Sequence, residues 1–160
     1  MTTGSKKYFW LFVAILIFSL DRITKTLVLH YLAIEEPLPV LPLLNLFLTF
    51  NTGAAFSFLN QAGGWQGSLF VVIAVAVSFF LIIWQFKIKA SQLWLKIALA
   101  LIQGGTLGNL YDRIAYHKVI DFIDFYFNQW HYPVFNLADS AICIGAIMLI
   151  IDSVGKEKNC

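Results

Sequence analysis

The chain has 160 residues, of which 59% are hydrophobic and only 12% charged, with a net charge of +2 and a mean hydropathy of +0.76. Soluble domains carry roughly 25% charged residues, so these values exclude a soluble fold and indicate a single integral membrane domain of a few spans. The small, scattered positive charge excludes a nucleic-acid surface, and two cysteines without CxxC spacing, Cys143 and Cys160, argue against a disulfide or zinc framework.

The first apolar segment covers residues 8–32 and lacks a small-residue cleavage site, so it reads as a retained span rather than a removable leader. Asp21 and Lys25 lie four residues apart on it, on one helical face and within ion-pairing reach. Residues 33–67 then form a first outer loop. After Pro37, Pro39 and Pro42, the residues Leu44, Leu46, Leu48 and Phe50 alternate with Asn45, Phe47, Thr49 and Asn51. That period of two predicts a strand with one greasy side, in a small sheet whose apolar strip faces lipid or substrate. Asn51-Thr52-Gly53 supplies a turn before Ala54-Ala55-Phe56-Ser57-Phe58.

Two further spans cover residues 68–86 and 93–111. In the second of these, Gly104 and Gly108 form a GxxxG that admits close helix approach. Gly105, Asn109 and Asp112 share one face, and Asp112 with Arg113 reads as a capping pair at the water boundary. A second outer loop, 112–133, is rich in interfacial aromatics (Phe122, Phe125, Tyr126, Phe127, Trp130, Tyr132) and carries Asp121 and Asp124. The last span covers 134–151. Asn136, Asp139, Ser140 and Cys143 share a face there, beside an Ala141–Gly145 small-residue contact. Asn136 is the better N-terminal cap, which leaves Asp139 without a structural role. Lys6, Lys7, Lys87, Lys89, Lys96, Lys156 and Lys158 mark cytoplasmic ends, so both termini are expected inside.

An aspartate at mid-bilayer costs ~2.5–3.5 kcal/mol on insertion scales, and Asp139 is therefore the leading functional candidate. A second carboxylate nearby would complete a pair able to activate water for acid–base cleavage of a peptide bond. Asp121 and Asp124 both qualify, and the residues alone leave that choice open. Other chemistries lack their groups: there is no HExxH, GxSxG or Ser–Lys arrangement, His30, His117 and His131 are isolated, and Cys143 has no histidine at helical spacing. A proton channel or transporter is the first rival reading, but no polar ladder continues from the acids toward the cytoplasmic side. A membrane scaffold is the second, and it leaves Asp139 unexplained.

Five blocks carry a resemblance. Asp21-Arg22-Ile23-Thr24-Lys25, Asn51-Thr52-Gly53-Ala54-Ala55-Phe56-Ser57, Gly108-Asn109-Leu110-Tyr111-Asp112-Arg113, Val119-Ile120-Asp121-Phe122 and Phe135-Asn136-Leu137-Ala138-Asp139-Ser140-Ala141-Ile142 occur in that order. Over nearly its whole length the chain resembles the bacterial lipoprotein signal peptidases, or signal peptidase II. The resemblance implies a membrane aspartic endopeptidase, multi-pass in the inner membrane, with its active site near the outer face. Its substrate would be a prolipoprotein cut before a diacylglyceryl-modified cysteine, with no metal or cofactor and no nucleic acid, and the enzyme is expected as a monomer among membrane lipids. The family's dyad falls on Asp121 and Asp139. Its supporting residues fall on Asp21, Lys25, Asn51, Gly53, Gly105, Asn109, Asp112, Arg113, Asn136 and Ala138. The expected fold is a membrane all-α bundle of four transmembrane helices with a small extracytoplasmic β-sheet and an interfacial outer loop.

Overall fold

The computed structural model describes residues 8–53 and 65–157. Lys6, Lys7, the 54–58 segment after the Asn51 turn, Lys158 and Cys160 lie outside the described residues. The elements run α1 (Phe9–Tyr31), β1 (Pro37–Leu41), β2 (Leu44–Asn51), α2 (Trp65–Lys87), α3 (Leu93–Tyr116), β3 (Val119–Phe127), β4 (Trp130–His131) and α4 (Leu137–Glu157). Three helices, α2, α3 and α4, are long and apolar enough to cross a membrane. The fourth, α1, is as long at 23 residues, but it carries Asp21, Arg22 and Lys25 within little more than one turn.

The α3 helix is the hub and packs against α1, α2 and α4. Lipid offers helices no hydrophobic drive to associate, so close packing over small residues and polar contacts must hold them. The glycines of α3 divide that work between two neighbours. A Cβ on Gly104 would sit 2.6 Å from the Ala14 carbonyl of α1, and one on Gly108 would sit 2.5 Å from Asp21 Oδ2. A Cβ on Gly105 would collide with the Ala138 carbonyl of α4, while Gly145 of α4 meets the Ala98 carbonyl of α3 in the reverse sense. The GxxxG is therefore the α1 seam, and Gly105 with Gly145 makes the α4 seam.

These contacts carry a direct test. Gly105→Ala forces Ala138 and Ile142 away from α3 and is expected to cost about 1–3 kcal/mol. Gly67→Ala, near the start of α2 with open space around it, is expected to stabilise by roughly 0.5–1 kcal/mol through helix propensity. Thermal unfolding of both variants in one detergent should move the midpoint in opposite directions.

The strand expected from the period-two pattern is present as β2, but the sheet is larger than the first outer loop. The four strands lie in the order β1-β2-β3-β4, antiparallel throughout. The second outer loop is thus corrected from an interfacial aromatic loop to two strands of the same sheet. Its Val-Ile-Asp-Phe-Ile-Asp-Phe-Tyr-Phe stretch is dense in the β-branched and aromatic residues that strands favour.

The orientation of the greasy strip is also corrected. Leu48 is buried with Val28 of α1 and with Ile120 and Phe122 of β3, and Leu46 and Phe50 pack against that cluster. The strip docks the sheet onto the end of α1 instead of facing lipid. Lys96, read as a cytoplasmic loop marker, lies in the first turn of α3, where its Nζ donates to the Gln85 carbonyl of α2 at 3.3 Å.

Candidate active site

The polar groups that sequence analysis scattered over four segments converge on the start of α4. Asn136 is the N-cap: its Oδ1 accepts the backbone N–H of Asp139 at 2.9 Å. Asp139 answers by accepting the Asn136 backbone N–H on Oδ2 at 3.2 Å, which closes a reciprocal capping box. The expectation that Asp139 has no structural role is therefore wrong, because it holds the helix start while its other oxygen faces the site. Asp21 of α1 caps a further orphan donor by accepting the Ala138 N–H at 3.1 Å.

Behind this helix start lies a buried ionic cluster. Lys25 Nζ sits 3.0 Å from Asp21 Oδ2 and 2.7 Å from Asp112 Oδ2, and all three side chains are 0% exposed. Arg22 joins through Asp112 Oδ1 at 2.7 Å and Asp21 Oδ2 at 3.1 Å. The Asp21–Lys25 pair expected from spacing is thus half of a four-member group. Asp112, expected to pair with Arg113, instead faces inward to Arg22 and Lys25 and accepts the Ile120 N–H on Oδ2 at 3.3 Å. Sequence reasoning passed over Arg22, although a second cation within a turn of Lys25 in an apolar helix was the available signal.

Asp121 enters from β3. Its Oδ1 accepts from Asn136 Nδ2 at 2.7 Å and its Oδ2 from Asn51 Nδ2 at 3.1 Å. Asn109 of α3 donates from Nδ2 to Asp139 Oδ1 at 2.8 Å. Asn136 is thus shared by the two carboxylates, its side chain on one and its backbone N–H on the other. Asn51 is itself fixed by the Gly53 N–H, which donates to its Oδ1 at 2.8 Å, and Arg113 Nη2 donates to the Gly53 carbonyl at 3.0 Å. Nine of the ten expected supporting residues and both aspartates form this connected hydrogen-bonded or ionic network. The tenth, Gly105, acts by its missing side chain.

Asp124 lies elsewhere. Three residues along a strand reverses the face, so Asp124 points away from Asp121. It accepts from Asn45 Nδ2 at 3.0 Å and pairs with His131 Nδ1 at 2.9 Å. His131, read as isolated, has this partner. An extra residue in β2 between Leu46 and Thr49 lets Asn45 and Asn51, six residues apart, each meet a different aspartate.

Asp121 is 2% exposed. Burial, reinforced by the nearby charge of Asp139, pushes its carboxyl up to about 7, against the opposing hydrogen bonds of Asn51 and Asn136. A cleft between α2 and α3 opens onto Asp139, with Asn51, Asn109 and Arg113 on its polar side. Phe70, Ile73, Ala74 and Val77 line the other side at helical spacing. A second cavity reaches Asp139 from the opposite side, between Tyr132, Phe135 and Cys143.

The family model described as "Signal peptidase (SPase) II" matches residues 13–155. Lipoprotein signal peptidase from Coxiella burnetii (strain Dugway 5J108-111) is 45% identical over 152 residues, covering 94% of this chain and 93% of that protein. The protein of the same name from Pseudomonas aeruginosa (strain UCBPP-PA14) is 46% identical, covering 94% and 90%. The one from Shewanella baltica (strain OS195) is 49% identical over 150 residues, covering 94% and 88%. Among solved structures, a bacterial membrane enzyme determined by the in meso method at 2.3 Å resolution superposes with a TM-score of 0.85. It is 29% identical, with 94% of this chain and 90% of that chain covered.

Proposed function

Because this chain belongs to the signal peptidase II family, we propose that it removes signal peptides from prolipoproteins as a membrane-embedded aspartic endopeptidase with Asp121 and Asp139 as its catalytic dyad. The observation that carries this reading is the sharing of Asn136, which hydrogen-bonds both carboxylates at 2.7 and 3.2 Å. The scissile bond is the one preceding a diacylglyceryl-modified cysteine. In this reading residues 1–160 form one domain, α1 is a fourth span, both termini are cytoplasmic and the dyad lies near the outer face of the inner membrane.

Two neighbouring carboxylates, Asp121 buried and Asp139 half-buried, do not both ionise at neutral pH, so they share one proton. The ionised member takes a proton from water as the resulting hydroxide attacks the scissile carbonyl carbon. The protonated member gives its proton to the carbonyl oxygen, and a gem-diol forms. In the second half the newly protonated carboxyl donates to the amide nitrogen as the C–N bond breaks, and the other recovers a proton from a gem-diol hydroxyl. The donors on each carboxylate, two amides on Asp121 and an amide with a backbone N–H on Asp139, hold both groups fixed through these transfers. Asp21, Lys25, Asp112, Arg113, Gly53, Gly105 and Ala138 position the dyad; Asn51, Asn109 and Asn136 touch it directly. The apolar cleft walls receive the signal segment, and the lipid enters from the bilayer.

The primary test incubates the purified protein with a lipid-modified and an unmodified prolipoprotein and locates the cut by mass spectrometry. Cleavage before the lipidated cysteine in the first substrate alone supports the reading. Equal cleavage of both, or a cut elsewhere, rejects it. A pH profile adds a second expectation. Catalysis needs the shared proton, so kcat/KM should fall as pH rises through about 7, where Asp121 loses it. A plateau extending two units above that value would contradict the shared-proton chemistry.

A further inference from the structure

The dyad is not symmetric, and the source of the asymmetry can be traced to one ammonium group. We infer that at rest Asp139 carries the negative charge and Asp121 the shared proton, and that Lys25, acting through Asn109, fixes this arrangement. The inference rests on the aspartic-dyad reading given above.

A lysine ammonium has three donor hydrogens and no acceptor. Lys25 Nζ is within hydrogen-bond distance of three acceptors, Asp21 Oδ2 at 3.0 Å, Asp112 Oδ2 at 2.7 Å and Asn109 Oδ1 at 2.9 Å. The first two serve the ionic cluster, and the third points toward the dyad. Because Lys25 can only donate, the Asn109 carbonyl must face it, and Asn136 Nδ2 at 3.1 Å from the same oxygen enforces the same orientation. The Asn109 NH2 is then left facing Asp139 Oδ1 at 2.8 Å. A cation on the carbonyl end polarises the amide, so the donor offered to Asp139 is stronger than a free amide's.

The second oxygen of Asp139 tells the same story. It accepts the Asn136 backbone N–H in the first turn of α4, where the helix dipole favours a negative charge. Asp121 also feels the charge of Lys25, but it has neither the polarised amide nor the helix start. It sits on a strand, 2% exposed, and its two side-chain partners are the amides of Asn51 and Asn136. Asp139 burdens Asp121 further, because its charge adds to burial in raising the Asp121 carboxyl.

The remaining charged groups around the dyad do not reverse this. Asp21 and Arg22 from α1 and Asp112 from α3 combine with Lys25 into a group of two acids and two bases. Arg113 from α3 attracts both carboxylates, Asp139 ahead of Asp121, and so favours the same arrangement. From the sheet, Asp124 and His131 pair on the opposite face of β3. Asp139 is accordingly the base that takes the proton of water, and Asp121 the acid that protonates the carbonyl oxygen.

The test uses the full-length protein in detergent with lipid-modified prolipoprotein. The double variant Asp21→Asn/Lys25→Met removes the ammonium but leaves Arg22 facing Asp112, so the buried group stays neutral, and an asparagine at position 21 can still accept the Ala138 N–H. Losing the charge-assisted donor should move the acidic limb of kcat/KM to higher pH by about one unit, a roughly tenfold loss of rate on that limb. Asp21→Asn alone keeps Lys25 and should not move the limb upward. An acidic limb and rate in the double variant that match wild type would overturn the role of Lys25.

A second measurement places the proton even if the double variant is too unstable to assay. Infrared spectra of protein carrying isotope-labelled aspartate should show, at pH 6, a protonated aspartate C=O band that disappears in Asp121→Asn. A band that persists in Asp121→Asn and vanishes in Asp139→Asn would put the proton on Asp139 and sink the inference. Failure of the dyad reading itself would look different, since Asp121→Asn or Asp139→Asn would then still cleave.

Discussion

Asp121→Asn and Asp139→Asn are each expected to lower the turnover of lipid-modified prolipoprotein by about 10²–10⁴-fold, the scale of a lost general acid or base. The substitution retains the shape of each side chain but turns one acceptor oxygen into a donor, so each variant keeps one of the two hydrogen bonds its carboxylate accepts. An asparagine at 139 can still accept the Asn136 N–H and close the capping box, and an asparagine at 121 can still meet Asn51 or Asn136. Neither variant should therefore lose insertion or substrate binding. Stability should even improve in one of them above neutral pH. The folded-state value of Asp121 lies above that of an unfolded aspartate, at about 7. Its contribution to stability is therefore complete below the unfolded value and is lost as pH rises toward and through 7. Asp121→Asn removes that loss, so at pH 8 its thermal midpoint should equal or exceed that of wild type.

Asp124→Asn is the matched control, since Asp124 occupies the other face of β3 and contacts Asn45 and His131. It should keep most of the activity. An inactive Asp124→Asn beside an active Asp121→Asn would reject the assignment.

Lys25→Ala is expected to destabilise the protein by about 3–5 kcal/mol, the usual penalty for stripping one partner from a buried ionic group. Without Lys25, Asp21 and Asp112 keep Arg22 as their one charged partner among the described residues, in surroundings where both carboxylates are fully buried. The loss also empties the space of a long side chain that is itself 0% exposed. Asp21→Asn/Lys25→Met removes one charge of each sign and fills most of that space. Its cost should be clearly smaller than that of the single change, although it contains one more substitution. Thermal midpoints and detergent-extracted yields of the two variants provide the comparison. If the double variant is as damaged as Lys25→Ala or worse, charge neutrality is not what holds α1 against α3.

How much of this was legible in the sequence differs between elements. The four long helices were, because a run of about 20 apolar residues needs no partner to declare itself. The strand β2 was legible from its alternation, and its bounds in the structure are those of the pattern, Leu44–Asn51. The Asp21–Lys25 pair was legible because the spacing of a helix brings four-apart residues together. The family was legible too, through short blocks whose order could be compared with a known pattern.

Contacts that cross the chain were not. Asp112 pairs with Arg22 and Lys25, some ninety positions away, and local spacing offered Arg113 instead. The greasy side of β2 faces the end of α1 because Val28, Ile120 and Phe122 wait there, and a period of two says which residues share a side but not what covers it. The aromatic second loop became β3 because β2 supplied a hydrogen-bonding edge, and the strand sets Asp121 and Asp124 on opposite faces, Asp121 against Asn136 and Asp124 against Asn45. Sequence determined which residues could carry charge at membrane depth. Only the tertiary structure decided which of them met, because burial makes an unpaired carboxylate or amide costly and a site forms where every such group finds its partner.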